Sequence, residues 1–383
     1  MRATYLLVTT LYPSEGDLYR YPFVHKRVLA YRACGIEVDV FRPGFDHEHV
    51  HHFEGVACHS GSYDDLAKRL SHPQYKAVLV HGLNADLWKA MAPHLAGRSV
   101  YAWIHGTEII DFARIARDYA EGSERETAAA QFRERLEFWR RLLRARPSEL
   151  KLVFVSRLAA QAAMDALGFE LPLDAYSIIH NPIDTVQFAY HNKPQSQRFR
   201  VLSIRPYSRS SYGNDIAVRT VLELAKRRFF RDMTFTFMGD GKLFDETLDP
   251  LRHLSNVAIK KSFLRHHEIA HLHRSHGIFL VPSRLDTQGV SRDEAMSSGL
   301  VPATNSVGAI PEFVDDSCGV LAPPEDHMAL VEGIERLIGD PDLFESMSAA
   351  AAARVRFQSS AEKIIPQEIA LFSASNAISR LAS

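Results

Sequence analysis

The amino-acid sequence predicts an α/β protein made of two doubly wound domains that face each other across a cleft. Three observations carry this prediction: a length of 383 residues, two successive series of alternating strand and helix patterns, and a polar stretch between the two series. A chain of this length is too long for one ordinary core and suits two domains of under about 200 residues each.

The first series alternates short β-rich runs with helical patterns. Its predicted strands are residues 5–8, 37–41, 77–80, 100–104 and 152–155, and its clearest helices are residues 23–33 and 86–94. Alternation of this kind indicates βαβ units, and such units form parallel sheets. We therefore expect a first domain over residues 1–188.

The second series begins after the polar residues 190–198, which contain turn formers and show no periodicity. Its predicted strands are residues 201–204, 234–238, 257–259, 278–281 and 300–303. We expect a second domain over residues 198–360 and a last helical stretch over residues 361–383. Ligands of doubly wound sheets bind outside the carboxyl ends of the strands, so two facing sheets would place both substrates in one cleft.

Composition and charge exclude several classes of protein. The 45 lysines and arginines nearly balance the 46 aspartates and glutamates, so the broad basic surface of a nucleic-acid-binding protein is not expected. The three cysteines are far apart and odd in number, which argues against a disulfide framework and a cysteine zinc site. The start of the chain predicts a strand rather than a signal peptide, and no apolar run could span a bilayer, so we expect a cytoplasmic protein.

The most informative segment follows the predicted strand 278–281. It places Asp286 and Gly289 in a loop, begins a helix near Val290, and puts Glu294 in the first turns of that helix. This arrangement points free backbone N–H groups and the helix dipole at an anion in the loop, while the glycine allows close backbone approach. A diphosphate group fits such a loop.

This segment resembles the signature of glycosyltransferase family 4, the retaining nucleotide-sugar enzymes of the GT-B fold with its two Rossmann-like domains. The signature is an acid, seven residues and a glutamate, with a glycine in the loop, then Ala-Met, a small residue, Gly and Val-Pro; here it begins at Asp286. The resemblance implies that Glu294 binds the ribose hydroxyls and that Asp286 binds the donor sugar. The phosphates would bind to the backbone amides of Gly289, Val290 and Ser291.

Other segments match the family in order along the chain. His105 resembles a histidine that lines the cleft near the transferred sugar, and the turn at Gly239 and Asp240 resembles the family's glycine turn near the nucleotide. Residues 181–184 resemble the segment that closes the first domain, and residues 307–312 resemble a Gly-Gly-x-Pro-Glu element.

The sequence also departs from the family pattern. The first acid of the signature is Asp286 rather than glutamate. The family's phosphate-binding arginine falls at Arg205, but Tyr212 stands where a lysine is usual, so Arg209 is the candidate for the missing charge. The acceptor-side loop, which often carries a glycine pair, has Gly16 alone.

The resemblance implies transfer of a sugar, with retention, from a nucleotide-diphosphate sugar to a glycan or lipid-linked acceptor, in the synthesis of a cell-surface polysaccharide or lipopolysaccharide. Its catalytic residues would be His105, Asp286 and Arg205. No Asp-x-Asp element appears where a metal-dependent transferase would have one, so we expect no metal and no cofactor. By the same resemblance, the helix over residues 361–383 would cross back onto the first domain.

Two other classes of protein remain as alternatives. Residues 267–271 match the HExxH zinc-protease pattern, in which His267 and His271 would bind zinc and Glu268 would activate water. A catalytic zinc also needs a third ligand, and these residues lie between two predicted strands, which favours a polar crossover helix. The other alternative is a non-catalytic module that binds a nucleotide sugar without turnover.

Two polar stretches allow further interpretations. Alternate histidines in residues 47–52 would share one face of a strand and could hold a metal, although a polar loop or hairpin is more ordinary. Apolar residues recur at helical spacing among six arginines in residues 132–146. Such a helix either contacts the inner face of a membrane peripherally or packs its apolar stripe on its own domain.

Overall fold

The computed structural model describes residues 4–18, 20–95 and 97–381, with side chains as far as Ser373. The chain forms two compact units. The first comprises residues up to 113, residues 121–182 and residues from 362 onward, and the second comprises residues 114–120 and 183–361. The chain enters the second unit ahead of the predicted domain end at 188, because the N–H of Ile183 already donates to the Ser359 carbonyl there (2.8 Å).

The first unit is built on one sheet. Its strands are β1 (Tyr5–Thr9), β2 (Val38–Pro43), β3 (His49–Phe53), β4 (Val56–Gly61), β5 (Ala77–His81), β6 (Ser99–Ile104), β7 (Leu150–Phe154) and β8 (Tyr176–Ile178). They lie in the order β3-β4-β2-β1-β5-β6-β7-β8, and only β3 and β4 pair antiparallel. Strands β1 and β5 are buried along their whole length, which is typical of parallel strands covered on both faces.

The second unit has its own sheet. Its strands are β9 (Arg200–Ile204), β10 (Thr234–Gly239), β11 (Val257–Lys261), β12 (Ile278–Leu280), β13 (Val301–Asn305) and β14 (Val320–Ala322). They are all parallel and lie in the order β11-β10-β9-β12-β13-β14. This is the strand order of a dinucleotide-binding doubly wound sheet, in which a crevice opens where the order reverses.

Helices follow the strands along the chain and pack on the sheets. They are α1 (Pro22–Ala33), α2 (Tyr63–Leu70), α3 (Ala85–Met91), α4 (Ser123–Ala145), α5 (Arg157–Leu167), α6 (Asn214–Leu224), α7 (Phe244–Leu248), α8 (His266–Ser275), α9 (Val290–Ser297), α10 (Ile310–Phe313), α11 (His327–Gly339), α12 (Pro341–Gln358) and α13 (Ala361–Leu381). Across the described ranges, no helix is both long and apolar enough to cross a membrane.

The histidine-rich stretch forms the hairpin of β3 and β4. The two residues between these strands, Glu54 (φ 43°) and Gly55 (φ 78°), both have positive φ, as a tight hairpin turn requires. His49 and His52 are exposed on the edge strand. A polar hairpin was one of the two interpretations of this stretch.

Helix α4 carries the arginine-rich stretch. Its apolar stripe is buried within the first unit, where Trp139 and Leu143 belong to the core and Phe132 is also covered. The guanidinium of Arg140 donates to the last carbonyls of α5, at Ala166 (2.8 Å) and Leu167 (3.0 Å). Packing on its own domain therefore covers the apolar side of α4, and that side is not presented to lipid.

The last helix joins the first unit through a buried ion pair. Arg27 of α1 and Glu368 of α13 are fully buried, and the arginine Nε donates to the glutamate Oε1 at 2.9 Å. The Tyr31 hydroxyl (2.6 Å) and the Trp103 indole N–H (3.3 Å) donate to the same carboxylate. The Arg27 Nη2 donates to Asn181 (2.9 Å). Removing one member would leave a buried charge without compensation.

We predict that Glu368→Gln lowers the unfolding temperature, because an uncompensated buried Arg27 costs about 3–5 kcal/mol. Scanning calorimetry measures the shift. The control is Lys68→Met, which breaks the exposed Lys68–Asp65 pair (3.0 Å) of the same unit and should change little. Equal shifts in the two variants would contradict the role assigned to Glu368.

Candidate functional site

The strand order of the second unit reverses between β9 and β12. Connections leave these two strands toward opposite sides of the sheet, so a crevice opens outside their carboxyl ends. Two loops border that crevice, residues 205–213 after β9 and residues 281–289 after β12. The predicted donor-site residues of the second unit lie on these loops, on α9, or on the turn after β10.

Arg205 is a buried cation directly after β9. It is 6% exposed, and its Nη2 donates to the Tyr212 carbonyl (3.2 Å) and to the Ser283 hydroxyl (3.4 Å). Its Nε is buried and has no hydrogen-bond acceptor within the described part of the chain. Burial lowers the pKa of Arg205, and the charge of Asp286 opposes this shift. The site therefore holds a cation with an unused donor.

The rest of the loop after β9 supplies a ring and an exposed charge. The Arg205 guanidinium lies over the Tyr212 ring at 5.1 Å, so the residue that replaces the usual lysine contacts the first cation without adding charge. Arg209 is exposed on the same loop. Gly213 (φ 66°) brings the loop against the Pro282 carbonyl, 3.0 Å from where a Cβ would stand.

The loop after β9 is also tied to Asp118, which sequence reasoning missed. The Ser211 N–H and hydroxyl each donate to the Asp118 carboxylate at 2.8 Å, and the Ser210 hydroxyl donates to it at 3.1 Å. Asp118 lies in residues 114–120, the short segment that belongs to the second unit. Nothing in its neighbouring sequence indicates this pairing across the chain.

The glycine turn after β10 supports the Arg205 loop. A Cβ on Gly239 would stand 1.9 Å from the Arg205 carbonyl oxygen, so only glycine permits this approach. The N–H of Tyr207 donates to the Asp240 carbonyl (2.8 Å), while the Asp240 carboxylate accepts the N–H of Gly241 (2.7 Å). These contacts buttress the loop, and a contact of this turn with a nucleotide stays a prediction.

Asp286 begins the loop after β12 and is itself hydrogen-bonded there. Its Oδ1 accepts the N–H of Gln288 at 3.1 Å, and its carbonyl accepts the N–H of Ala309 at 3.0 Å. A Cβ on Gly308 would meet that carbonyl at 2.1 Å. The structure thus brings the predicted element 307–312 against the predicted donor loop.

A buried ion pair lies under this loop, and sequence reasoning missed it. Arg292 and Asp293 are each 1% exposed, and the Asp293 Oδ1 accepts from Nε (3.0 Å) and Nη2 (2.6 Å) of Arg292. Arg292 also donates to the Gln288 carbonyl, and the Gln288 amide donates to the Asp293 Oδ2 (3.2 Å). Burial raises the pKa of Asp293. The sequence contained a signal for the burial of Arg292, because this residue shares a helix face with the apolar Ala295 and Met296.

The guanidinium of Arg292 explains the glycine of the loop. Gly289 has φ +91°, and a Cβ there would stand 2.7 Å from Nη1 of Arg292. Val290 and Ser291 follow in the first turn of α9, where backbone N–H groups have no acceptor within the helix. These are the amides predicted to bind phosphate.

Glu294 lies on α9 with its side chain 13% exposed. Its Oε1 is 3.8 Å from Nε2 of His266, the first residue of α8, which sequence reasoning also missed. The ring of His266 in turn contacts Phe188. The carboxylate thus lies beside an imidazole at the start of a neighbouring helix.

His105 lies in the first unit, at the carboxyl end of β6. Its Nε2 is 2.9 Å from Nδ1 of His81, and the two rings stack at 5.2 Å. The Glu108 carboxylate accepts the N–H groups of His105 (3.0 Å) and Gly106 (2.9 Å). Burial and the Arg27 charge hold the pKa of His105 well below its usual range, so its ring is neutral near pH 7.

Gly16 lies in an exposed tight turn of the first unit. The N–H of Ser14 donates to the Asp17 carbonyl (3.1 Å) and the N–H of Asp17 donates back (3.0 Å). No atom comes within 4 Å of a Cβ built on Gly16. The turn needs no ligand to hold its shape, and its acceptor-side role stays a prediction.

The HExxH residues lie on α8, the crossover helix between β11 and β12. His267, Glu268 and His271 are exposed, and the Glu268 carboxylate accepts the N–H of Arg265 (2.7 Å), which makes it a helix cap. Among the residues that the structure describes, no group of three or more His, Cys, Asp and Glu is placed to hold a metal ion. The described residues therefore also form no such metal-binding group at the histidines of the edge strand β3.

Several solved structures share the fold of this chain. Sucrose-phosphate synthase from Thermosynechococcus elongatus superposes with a TM-score of 0.75 at 15% identity, covering 98% of this chain and 100% of that one. Anabaena HepE, solved with UDP and glucose, gives a TM-score of 0.71 at 14% identity over 97% and 100% of the two chains. At these identities the likeness shows the fold alone. The predicted class, an α/β protein of GT-B type with two parallel-sheet domains, is confirmed.

Sequence comparison matches part of the second unit to a protein family. Residues 199–340 match the family model described as Glycosyl transferases group 1. The resemblance to glycosyltransferases inferred from the motifs is thereby confirmed, while membership of family 4 stays a prediction.

Curated relatives that match part of the chain are named as glycosyltransferases. The chain is 27% identical over 143 residues to alpha-D-kanosaminyltransferase of Streptomyces kanamyceticus, which covers 37% of this chain and 36% of that protein. It is 26% identical over 162 residues to D-inositol 3-phosphate glycosyltransferase of Corynebacterium diphtheriae, covering 40% and 38%. The matches span little more than a third of each relative's length.

We predict that Gly289→Ala destabilises the protein and weakens nucleotide binding, because the new methyl group must displace the Arg292 guanidinium. The control is Gly168→Ala, which has a similar positive φ (+80°) but open space around its Cβ. Backbone strain alone should cost about 1–2 kcal/mol in both variants. Thermal melts that show equal losses would remove the packing role of Gly289.

Proposed function

We propose that this protein is a glycosyltransferase that transfers a sugar from a nucleotide-diphosphate sugar to an acceptor, with retention of anomeric configuration and without a metal ion. The observation that carries the proposal is the buried Arg205 at the reversal point of the sheet, whose Nε has no acceptor within the described ranges of the chain. A diphosphate in the crevice would supply that acceptor. The match of residues 199–340 to a glycosyltransferase family supports the same chemistry.

The leaving diphosphate develops negative charge as the bond to the sugar breaks. Arg205 and the amides of Gly289, Val290 and Ser291 are fixed before the reaction, so they stabilise that charge without reorganising. Arg209, exposed on the loop after β9, adds a second positive charge from the solvent side.

The remaining site residues hold the two ends of the donor. Glu294 binds the ribose hydroxyls, and Gly239 and Asp240 lie near the nucleotide. Asp286 binds the donor sugar, and His105 of the first unit contacts the transferred sugar. The neutral imidazole of His105 can do so as a hydrogen-bond partner rather than as a cation, because its pKa is low.

Retention follows when the acceptor attacks the face that the diphosphate leaves, with a phosphate oxygen taking the acceptor proton. The mechanism assigns no protein nucleophile. We propose a glycan or lipid-linked acceptor in the synthesis of a surface polysaccharide or lipopolysaccharide, with Gly16 in the acceptor-side loop. The protein acts in the cytoplasm, with at most weak contact with the membrane surface and without nucleic acid.

The test is a thermal-shift panel of UDP-, GDP- and dTDP-sugars, since a ligand that binds only the native state raises the melting temperature. The stabilising donor is then incubated with candidate acceptors, and the anomeric configuration of the product is determined by NMR. Binding without turnover on any acceptor would favour the non-catalytic module. Activity lost to a chelator would favour the zinc hydrolase.

We predict that Glu294→Ala abolishes donor binding while the protein stays folded, because the carboxylate contacts the ribose rather than the core. Isothermal titration with the stabilising nucleotide, together with circular dichroism, measures both properties. The control is Glu246→Ala on α7, where the glutamate is exposed and no effect on binding is expected. Unchanged affinity in a folded Glu294→Ala variant would remove this residue from the site.

We predict that Asp286→Glu lowers turnover by at least about tenfold, because a longer carboxylate disturbs both the sugar contact and the hydrogen bond to Gln288. Asp286→Asn keeps the shape, removes the charge and should reduce turnover similarly or more. Affinity for the bare nucleoside diphosphate should fall less in both variants, since it lacks the sugar. Equal losses of affinity and turnover would assign Asp286 to the phosphate loop alone.

A further inference from the structure

Two buried arginines lie beside the loop that follows β12. Arg205 is 6% exposed and Arg292 is 1% exposed. Each has one buried side-chain nitrogen without an acceptor in the described ranges of the chain, Nε in Arg205 and Nη1 in Arg292. Arg32, Arg42 and Arg69 of the first unit also have a buried Nε without an acceptor among the described residues. Arg205 and Arg292 differ from them because they bring two such cations to one loop, which points to an anion that both charges would stabilise.

Arg292 differs in this respect from Arg27, which is also fully buried in an ion pair. The three guanidinium nitrogens of Arg27 all have acceptors, in Glu368, Asn181 and the Phe23 carbonyl (3.4 Å). Arg292 donates through Nε and Nη2 to Asp293 and the Gln288 carbonyl, and its Nη1 has no acceptor among the residues that the structure describes.

The unpaired nitrogen lies directly under the predicted phosphate loop. Nη1 of Arg292 stands 2.7 Å from the position that a Cβ on Gly289 would occupy, and the Asp286 Oδ2 stands 3.0 Å from the same position. Burial lowers the pKa of Arg205 and the charge of Arg292 adds to that shift, so the two cations act on the same region. Asp293, on the far side of the guanidinium, partly neutralises it.

We propose that Arg292 is a second cation of the diphosphate site, a positioning residue that acts from beneath the Gly289 loop, with Asp293 setting how much of its charge reaches the ligand. This rests on the proposed function and names how the loop holds a nucleoside diphosphate. Arg292 fixes the loop through Gln288, and its charge stabilises the diphosphate bound above Gly289. The tyrosine in place of the usual lysine is thereby compensated from inside the unit.

The test uses opposite changes of charge on the two members of the pair. Arg292→Met removes the cation and should weaken binding of UDP, GDP or dTDP, whichever the wild type binds, by about tenfold. Asp293→Asn keeps the shape, leaves the cation uncompensated, and should tighten the same binding by a few fold, although it lowers the unfolding temperature. A purely structural pair predicts weaker binding in both variants.

Two further variants keep the test decisive. Arg292→Lys retains the charge and should keep most of the affinity that Arg292→Gln loses. Arg27→Met in the first unit breaks another buried ion pair and should lower the unfolding temperature without changing nucleotide affinity. Inorganic diphosphate serves as a probe that lacks a base. The Arg292 variants should weaken the binding of this probe by the same factor as the binding of the nucleotide.

The outcomes separate the two proposals. Wild-type protein that binds no nucleoside diphosphate overturns the proposed function and this inference with it. Wild-type binding with weaker affinity in Asp293→Asn, or with equal affinity in Arg292→Lys and Arg292→Gln, overturns the role of Arg292 alone. If Arg292→Met does not fold, the direction of the change in Asp293→Asn decides; if that variant does not fold, the comparison of lysine with glutamine decides.

Discussion

The second unit depends on the burial of guanidinium groups at the carboxyl edge of its sheet. A buried cation loses several kilocalories per mole of hydration, and it is tolerated only where nearby acceptors and opposite charges replace water. For Arg292 the replacement is Asp293 and the Gln288 carbonyl; for Arg205 it is the Ser283 hydroxyl and the Tyr212 carbonyl. In the part of the chain that the structure describes, both sets leave one guanidinium nitrogen without an acceptor, so this edge of the sheet has positive charge that its own residues do not fully compensate.

Close packing around these cations accounts for the glycines of the site. Gly239 lets the turn after β10 contact the Arg205 carbonyl, and Gly289 makes room for the Arg292 guanidinium. Each glycine is needed because a neighbouring group already occupies the space of a Cβ. This requirement holds whether or not the glycine also contacts a ligand. The glycine that the sequence pattern assigns to phosphate binding is therefore also required for the packing of the second unit.

The sequence predicted the strands that bury apolar runs on both faces and missed those with weaker patterns. Strands β1 and β5 were found because their residues are continuously apolar. The short strand β8 was missed because Ser177 interrupts it, and β14 was missed because its three residues run directly into Pro323 and Pro324. The apolar stripe of α4 was recognised, but sequence alone could not say whether core or lipid covers it. Whether core or lipid covers the apolar stripe of α4 depends on which strand the helix packs against in the folded domain.

The candidate site was predicted as far as local order along the chain defines it. The loop from Asp286 to Glu294 is one strand–loop–helix segment, so its pattern is visible in the sequence. Asp118 was not predictable, because its hydrogen bonds to Ser211 join segments far apart in the chain. The sequence showed that Arg292 is a charged residue on the apolar face of α9. Its contact with the phosphate loop could not be inferred without the position of Gly289 in the structure.

The pairing of Arg27 with Glu368 has a consequence for how the chain acquires its structure during synthesis. The first unit includes residues from before and after the second unit in the chain. Arg27 is therefore synthesised long before its partner Glu368, which follows the whole of the second unit. Until then Arg27 lacks its buried carboxylate, and Tyr5 and Tyr31 lack the Phe372 ring that packs against them. The second unit can therefore fold on the ribosome as a nearly continuous stretch, while the first is completed only when α13 emerges, and a nascent chain halted before Glu368 should remain sensitive to protease in its first half.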